Sequence, residues 1–135
     1  MNEARILIVE DDAILAWDLE TILAQEGHHI VGRAGTFENA LALAEIERPD
    51  LVIMDLKLAQ GTSGLATASE IYHRIGIRSL FVSGNIDRAL VAKATEDCDP
   101  LGFLGKPYAP EELTDLIAAS RRVAPGITSL GSPAP

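Results

Sequence analysis

Positive charge is in short supply: 11 lysines and arginines stand against 20 aspartates and glutamates, a formal charge of −9 at pH 7. Nucleic acid is therefore excluded as a direct partner, because phosphate backbones are held by clusters of Lys and Arg. The acidic balance also keeps a small domain soluble. Cysteine is nearly absent, and the single thiol, Cys98, cannot form an internal disulfide. A lone cysteine fits a reducing compartment. Aromatic residues make up 4% of the chain, so its core must be aliphatic, drawn from Leu, Ile, Val and Ala. No apolar run approaches the roughly 20 residues that a membrane span requires. The opening MNEARILIVEDD has too short an apolar run for a signal peptide, and that run ends in carboxylates. Cytoplasm, without membrane contact, is the expected location.

What the chain does contain is a rhythm. Short apolar runs at Arg5–Val9, His29–Ala34, Leu51–Met54, Arg78–Val82 and Leu101–Leu104 are continuous, as strands buried on both faces should be. Helical patterns fill the intervals. The first, Asp12–Glu26, starts in acids and stops at Gly27; the second, Phe37–Arg48, has Thr36 as N-cap and Pro49 as a stop. A third follows Ser63 and Gly64 and ends near Gly76, and a short fourth covers about Asp87–Thr95. The fifth opens at Pro110, with Glu111 and Glu112 at the positive end of the helix dipole. Five βα units predict an α/β fold: a doubly wound, five-stranded parallel sheet in flavodoxin-like order 2-1-3-4-5, helices on both faces. Residues 1–122 suit one domain, long enough to bury roughly two thirds of its unfolded surface. Val123–Pro135, rich in Pro, Gly and Ser, reads as a flexible tail.

In such a sheet the site lies outside the carboxyl ends of the strands, where the winding reverses, between strands one and three. Strand one ends in Glu10-Asp11-Asp12, strand three in Asp55, strand four in Ser83 and strand five in Lys106-Pro107. These four strands are neighbours, so the side chains should converge. Carboxylates at that density repel one another unless a cation lies among them, and an all-oxygen site open to water suits Mg²⁺ or Mn²⁺ more than Ca²⁺. A nucleotide phosphate, the alternative use of this turn, is repelled by Asp11 and Asp12 where a glycine fingerprint would be needed. Carboxylate, metal, lysine and hydroxyl together form a phosphoryl-transfer set, with Asp55 as the nucleophile.

Taken singly, each residue has a plainer use. Asp11 and Asp12 suit a helix cap, Asp55 a turn, and Lys106 a solvated surface. It is their joint position that points to chemistry.

The acidic pair after strand one, the central Asp, the Ser and the Lys-Pro resemble bacterial two-component response-regulator receivers, over about Ala4 to Arg121. The resemblance implies that Asp11 and Asp12 bind Mg²⁺, with Asp55 and the backbone carbonyl of Lys57 as further ligands. It implies phosphorylation of Asp55 by a histidine kinase or a histidine phosphotransfer protein. Ser83 and Lys106 would bind the phosphoryl oxygens, and the Lys106–Pro107 bond would be cis. A stand-alone receiver of this kind is not a turnover enzyme. It would switch contacts with a downstream protein target, as a monomer or weak dimer.

Phe103 stands where the family keeps a switching aromatic, and without a hydroxyl it is equally suited to the core. On the first helix Leu15, Leu19, Ile22 and Leu23 form an expected apolar stripe, with Trp17 about 200° away from Leu15. Trp17 is thus either a surface anchor for a docking partner or packed against a neighbouring helix. Lys57 and Asn85 should stand near the site mouth, whereas His28, His29 and His73 share no metal-ligand spacing. Two other classes remain open: a phosphate-independent pseudo-receiver, and an aspartyl phosphatase. The latter usually needs a second Asp where this chain has Lys57.

Overall fold

Four of the helices begin where a side chain can take up free N–H groups of the first turn. Asp12, Thr36, Ser63 and Asp87 each accept a backbone hydrogen bond from the turn that follows. The computed structural model describes residues 3–58 and 63–122. Its elements run β1 (Arg5–Val9), α1 (Ala13–Gln25), β2 (His29–Ala34), α2 (Phe37–Glu47) and β3 (Leu51–Asp55). They continue with α3 (Gly64–Ile75), β4 (Ser79–Ser83), α4 (Arg88–Cys98), β5 (Gly102–Gly105) and α5 (Pro110–Arg122).

All strand pairs are parallel, in the order β2-β1-β3-β4-β5. Every residue of β3 and β4 is buried, which accounts for their unbroken apolar sequence. Strand alternation divides the core in two. Ile6, Ile8, Leu51, Ile53, Leu80 and Val82 face α1 and α5, where Leu19, Leu23, Leu113 and Ile117 meet them. Leu7, Val9, Val52, Met54 and Phe81 face α2, α3 and α4. Each fully buried aliphatic side chain adds about 1.5–3 kcal/mol.

The expected architecture is thus observed, with shifts at element ends. The fourth helix runs on to Cys98 because Ala94 and Cys98, one turn apart, are both buried in the core. β4 begins one residue later than expected, at Ser79, and Arg78 instead donates to the carbonyl of Asp99. The buried stripe of α1 is Ala16, Leu19 and Leu23, with Ile22 packed at its side. Leu15, expected in that stripe, is 41% exposed, because it lies one position off the face that meets the sheet. The expected tail, 123–135, lies outside the described residues. No helix among the described residues is long and apolar enough to cross a membrane.

Among the described glycines, Gly64 has the least room for a side chain. A Cβ there would collide with the carbonyl oxygen of Asp55 and sit 2.8 Å from the Cα of Leu56. The absent side chain lets Gly64 donate its N–H to the Leu56 carbonyl at 3.0 Å, fixing β3's exit against the start of α3. Gly64→Ala should therefore lower stability by about 2–4 kcal/mol in urea unfolding. Gly84→Ala, where a Cβ meets nothing within 4 Å, should cost far less. Equal losses at the two positions would contradict this account.

Candidate functional site

The strand alternation that sorts the core also sorts the polar groups at its rim. Ile6 and Ile8 face the α1/α5 side, and Glu10 continues their alternation. Ile53 leads in the same way to Asp55, and Leu104 to Lys106. These three side chains meet at the carboxyl edge of β1, β3 and β5. Glu10 is 6% exposed and Asp55 8%, so two carboxyls are largely withdrawn from water. Among the described residues, Glu10, Asp11 and Asp55 form a carboxylate group, with one oxygen of each within 4.8 Å of the others.

Charge at this rim is partly offset by Lys106. The Lys106 ammonium lies 3.2 Å from Glu10 Oε1 and 3.7 Å from Asp55 Oδ2. The second Glu10 oxygen, Oε2, accepts from the Asp12 N–H at 3.2 Å, while Asp55 Oδ1 accepts from the Lys57 N–H at 3.3 Å. Burial pushes the Glu10 carboxyl up to about 7, and the adjacent Asp55 adds to the rise. The Asp12 N–H and the Lys106 ammonium oppose it by favouring the ionised form. Three hard oxygen donors at this spacing are a fitting set for a divalent cation of the Mg²⁺ type.

The acidic pair differs from the expected one. Asp11 and Asp12 were the expected ligands; the carboxylates grouped with Asp55 are Glu10 and Asp11. Asp12 turns its Oδ1 to the N–H groups of Ile14 and Leu15, at 2.9 and 3.2 Å, and caps α1. A carboxylate satisfied by the helix end, and stabilised there by the dipole, is drawn away from the pocket. Two sequence signals point to this result: Glu10 keeps the alternation of Ile6 and Ile8, and Asp immediately before a helix is a preferred cap.

Ser83, at the end of β4, is buried and its Oγ accepts from the Asn85 N–H at 3.1 Å. Its carbonyl accepts from the Lys106 N–H at 2.8 Å, tying the ends of β4 and β5 together just before the cis Lys106–Pro107 bond. Lys57 is exposed and bridged to Ser63. Phe103 lies opposite Phe81 across β4 and β5, and their rings stack with centroids 5.6 Å apart. Half-buried, it is packed against the α2–α4 side of the core.

Trp17 is 64% exposed, as its angular position predicts, beside Ile14 at 77%. On another face of the helix, a groove of about 480 Å³ runs between α1 and the segment after β5, walled by Leu15, Asp18, Leu19, Ile22 and Tyr108. Sequence reasoning missed Tyr108, whose hydroxyl is pushed up to about 12 by burial and then by Asp18 and Glu10. It remains neutral.

Residues 6–118 match the response regulator receiver domain. The chain belongs to the receiver family. PdtaR of Mycobacterium tuberculosis, a transcriptional regulatory protein, is 39% identical over 115 residues, which are 85% of this chain and 54% of PdtaR. The phyllosphere-induced regulator PhyR of Methylorubrum extorquens is 32% identical over 84% of this chain and 42% of its own length. The receiver therefore spans about half the length of these curated relatives. Among solved structures, a LuxR-family two-component response regulator from Aurantimonas superposes with a TM-score of 0.82 at 29% identity, covering 89% of this chain and 86% of its own. PhyR from Brucella abortus gives 0.74 at 34% identity, over 88% of this chain and 47% of its own. The receiver is thus a module of two-component signalling.

A carboxyl whose pKa is raised by the fold binds its proton more tightly there. Its contribution to the receiver's stability is full below the unfolded value near 4.5 and falls as pH rises through 7. Glu10→Gln, a mimic of the protonated acid, should match the wild type near pH 4.5 and exceed it in stability above pH 7 with divalent cations chelated. Urea melts of both proteins across that range check this, and parallel stability curves would contradict it.

Proposed function

We propose that the receiver accepts a phosphoryl group on Asp55 from the phosphohistidine of a histidine kinase or histidine phosphotransfer protein, in a step that depends on Mg²⁺ or Mn²⁺. One observation carries this reading: a buried Asp55 has the Lys106 ammonium 3.7 Å from one oxygen, and carboxylate oxygens of Glu10 and Asp11 within 4.8 Å. A lysine alone would make a salt bridge. The added acids make a place for a second, divalent charge.

Asp55 attacks phosphorus with one carboxylate oxygen, the P–N bond to the imidazole breaks, and the electron pair returns to the ring nitrogen. Lys106 donates to a phosphoryl oxygen as negative charge develops there. The Ser83 hydroxyl, at the adjoining strand end, donates to another. Glu10, Asp11, Asp55 and, by the family resemblance, the Lys57 carbonyl would hold the cation, which neutralises the transferring oxygens when bound. Asp12 stays on the helix end. The acyl phosphate is then hydrolysed slowly or passed back, so the chain is a phospho-accepting switch rather than a turnover enzyme.

Phosphorylation adds charge that Ser83 and Lys106 meet best if the segment from the Ser83 loop through α4 to β5 shifts inward. Phe103, on β5, would move with it and change the face offered to a downstream protein. Trp17 and Ile14 form an exposed apolar patch on α1, suited to a phosphodonor docking over that helix, while the groove beside Tyr108 lies on another face. A cytoplasmic monomer or weak dimer fits this role.

Incubation with acetyl phosphate and Mg²⁺ should add one hydroxylamine-labile phosphoryl group, which mass spectrometry locates on Asp55. Chelation should abolish it, as should Asp55→Asn; a stable adduct elsewhere would sink the reading. Trp17→Ala should slow transfer from the phosphodonor protein by about tenfold while labelling by acetyl phosphate is unchanged. Equal loss with both donors would remove Trp17 from the docking surface.

A further inference from the structure

The reading of the pocket as a cation site leaves one arrangement unexplained, which is that both oxygens of Glu10 are already engaged. Oε2 is held by the Asp12 N–H at 3.2 Å, and Oε1 by the Lys106 ammonium at the same distance. Lys106 is closer to Glu10 than to Asp55, the group whose phosphoryl it would serve. Glu10 and Asp55 are both buried, so water offers these charges little compensation. A cation seated on Glu10, Asp11 and Asp55 through Glu10 Oε1 would meet the ammonium as a competitor there. The two positive charges cannot share that oxygen without strong repulsion in so dry a place.

We infer that Glu10 is a latch for Lys106 that the divalent cation releases. When the cation takes Glu10 Oε1, Lys106 loses its nearer carboxylate and turns to its other partner, Asp55 Oδ2. Cation entry and presentation of the lysine are then one exchange. Without the cation, the ammonium stays nearer to Glu10, at 3.2 Å, than to the acceptor oxygen, at 3.7 Å, and phosphoryl capture lacks the divalent charge. The length of Glu10 is what makes the latch: its carboxylate reaches Lys106 while the chain on its other side is anchored by the Asp12 N–H. An aspartate there would be shorter by one methylene, about 1.5 Å. It would keep a carboxylate for the cation and lose its reach to the lysine. In this role Glu10 is a positioning residue for Lys106.

This inference rests on the cation-dependent reading above, and its test is binding, not phosphorylation. Mn²⁺ affinity is measured by the electron paramagnetic resonance of the free ion, on the full chain at mildly alkaline pH. Four proteins are compared: wild type, Lys106→Met, Glu10→Asp and the double variant, each checked for fold by circular dichroism. Loss of the lysine removes general repulsion in both backgrounds, so the cycle isolates the latch. Lys106→Met should tighten Mn²⁺ by about tenfold when Glu10 is present and by about twofold or less in Glu10→Asp. Lys106→Gln should repeat the pattern and serves if the Met variant misfolds. Equal tightening in both backgrounds, or none in either, overturns the latch. Acetyl phosphate labelling of the wild type reports separately on the phospho-acceptor reading: tight Mn²⁺ with the cycle as expected but no adduct would fail that reading and leave the latch standing.

Discussion

Three carboxyl groups at one rim, with the Lys106 ammonium among them, are the constraint around which this domain is arranged. Glu10, Asp11 and Asp55 repel one another, and burial of two of them raises the cost of every negative charge. Lys106 offsets part of it and pairs with two of the acids. The rest is left as an electrostatic demand that a divalent cation answers. A group that adds negative charge, such as a phosphoryl, is tolerated only once that demand is met.

Everything beneath the rim serves to hold it in place. Fully buried β3 delivers Asp55, and its neighbours β1 and β4 are locked to it by parallel pairing. Gly64 lets the chain turn back over Asp55 at a distance no side chain allows. The Ser83 carbonyl secures the Lys106 backbone, so the lysine's reach is set from the β4 side. Strong packing thus supports a weakly balanced surface, a common division at functional sites. The latch between Glu10 and Lys106 follows from the same scarcity of positive charge: one ammonium has two acids to serve, and an arriving cation decides which it keeps.

The fold was largely legible in the sequence because its signals are redundant. Apolar runs gave the strands, Thr36 and Ser63 marked helix starts, and Gly76 a helix end. Strand order followed from winding rules rather than from any residue. The site was legible as a place and less so in its members. Asp55 and Ser83 could be placed because each closes a strand, and Lys106 because it directly follows one. The acidic run was harder, since Glu10, Asp11 and Asp12 are chemically alike and straddle the change from strand to helix. Alternation from Ile6 and Ile8 governs Glu10, while capping governs Asp12. These two local rules had to be weighed at successive residues. Leu15 failed for a related reason: periodicity defines a stripe to within one residue, and packing against β1 and β2 chose Ala16 instead.

A crystal grown with Mn²⁺ and measured for anomalous scattering locates the cation without reference to phosphorylation or to any partner. One strong peak bounded by the carboxylates of Glu10, Asp11 and Asp55, with the Asp12 carboxylate still on the first turn of α1, is the result this account predicts. A peak coordinated by Asp12 in place of Glu10, or none within reach of Asp55 at saturating Mn²⁺, would contradict it.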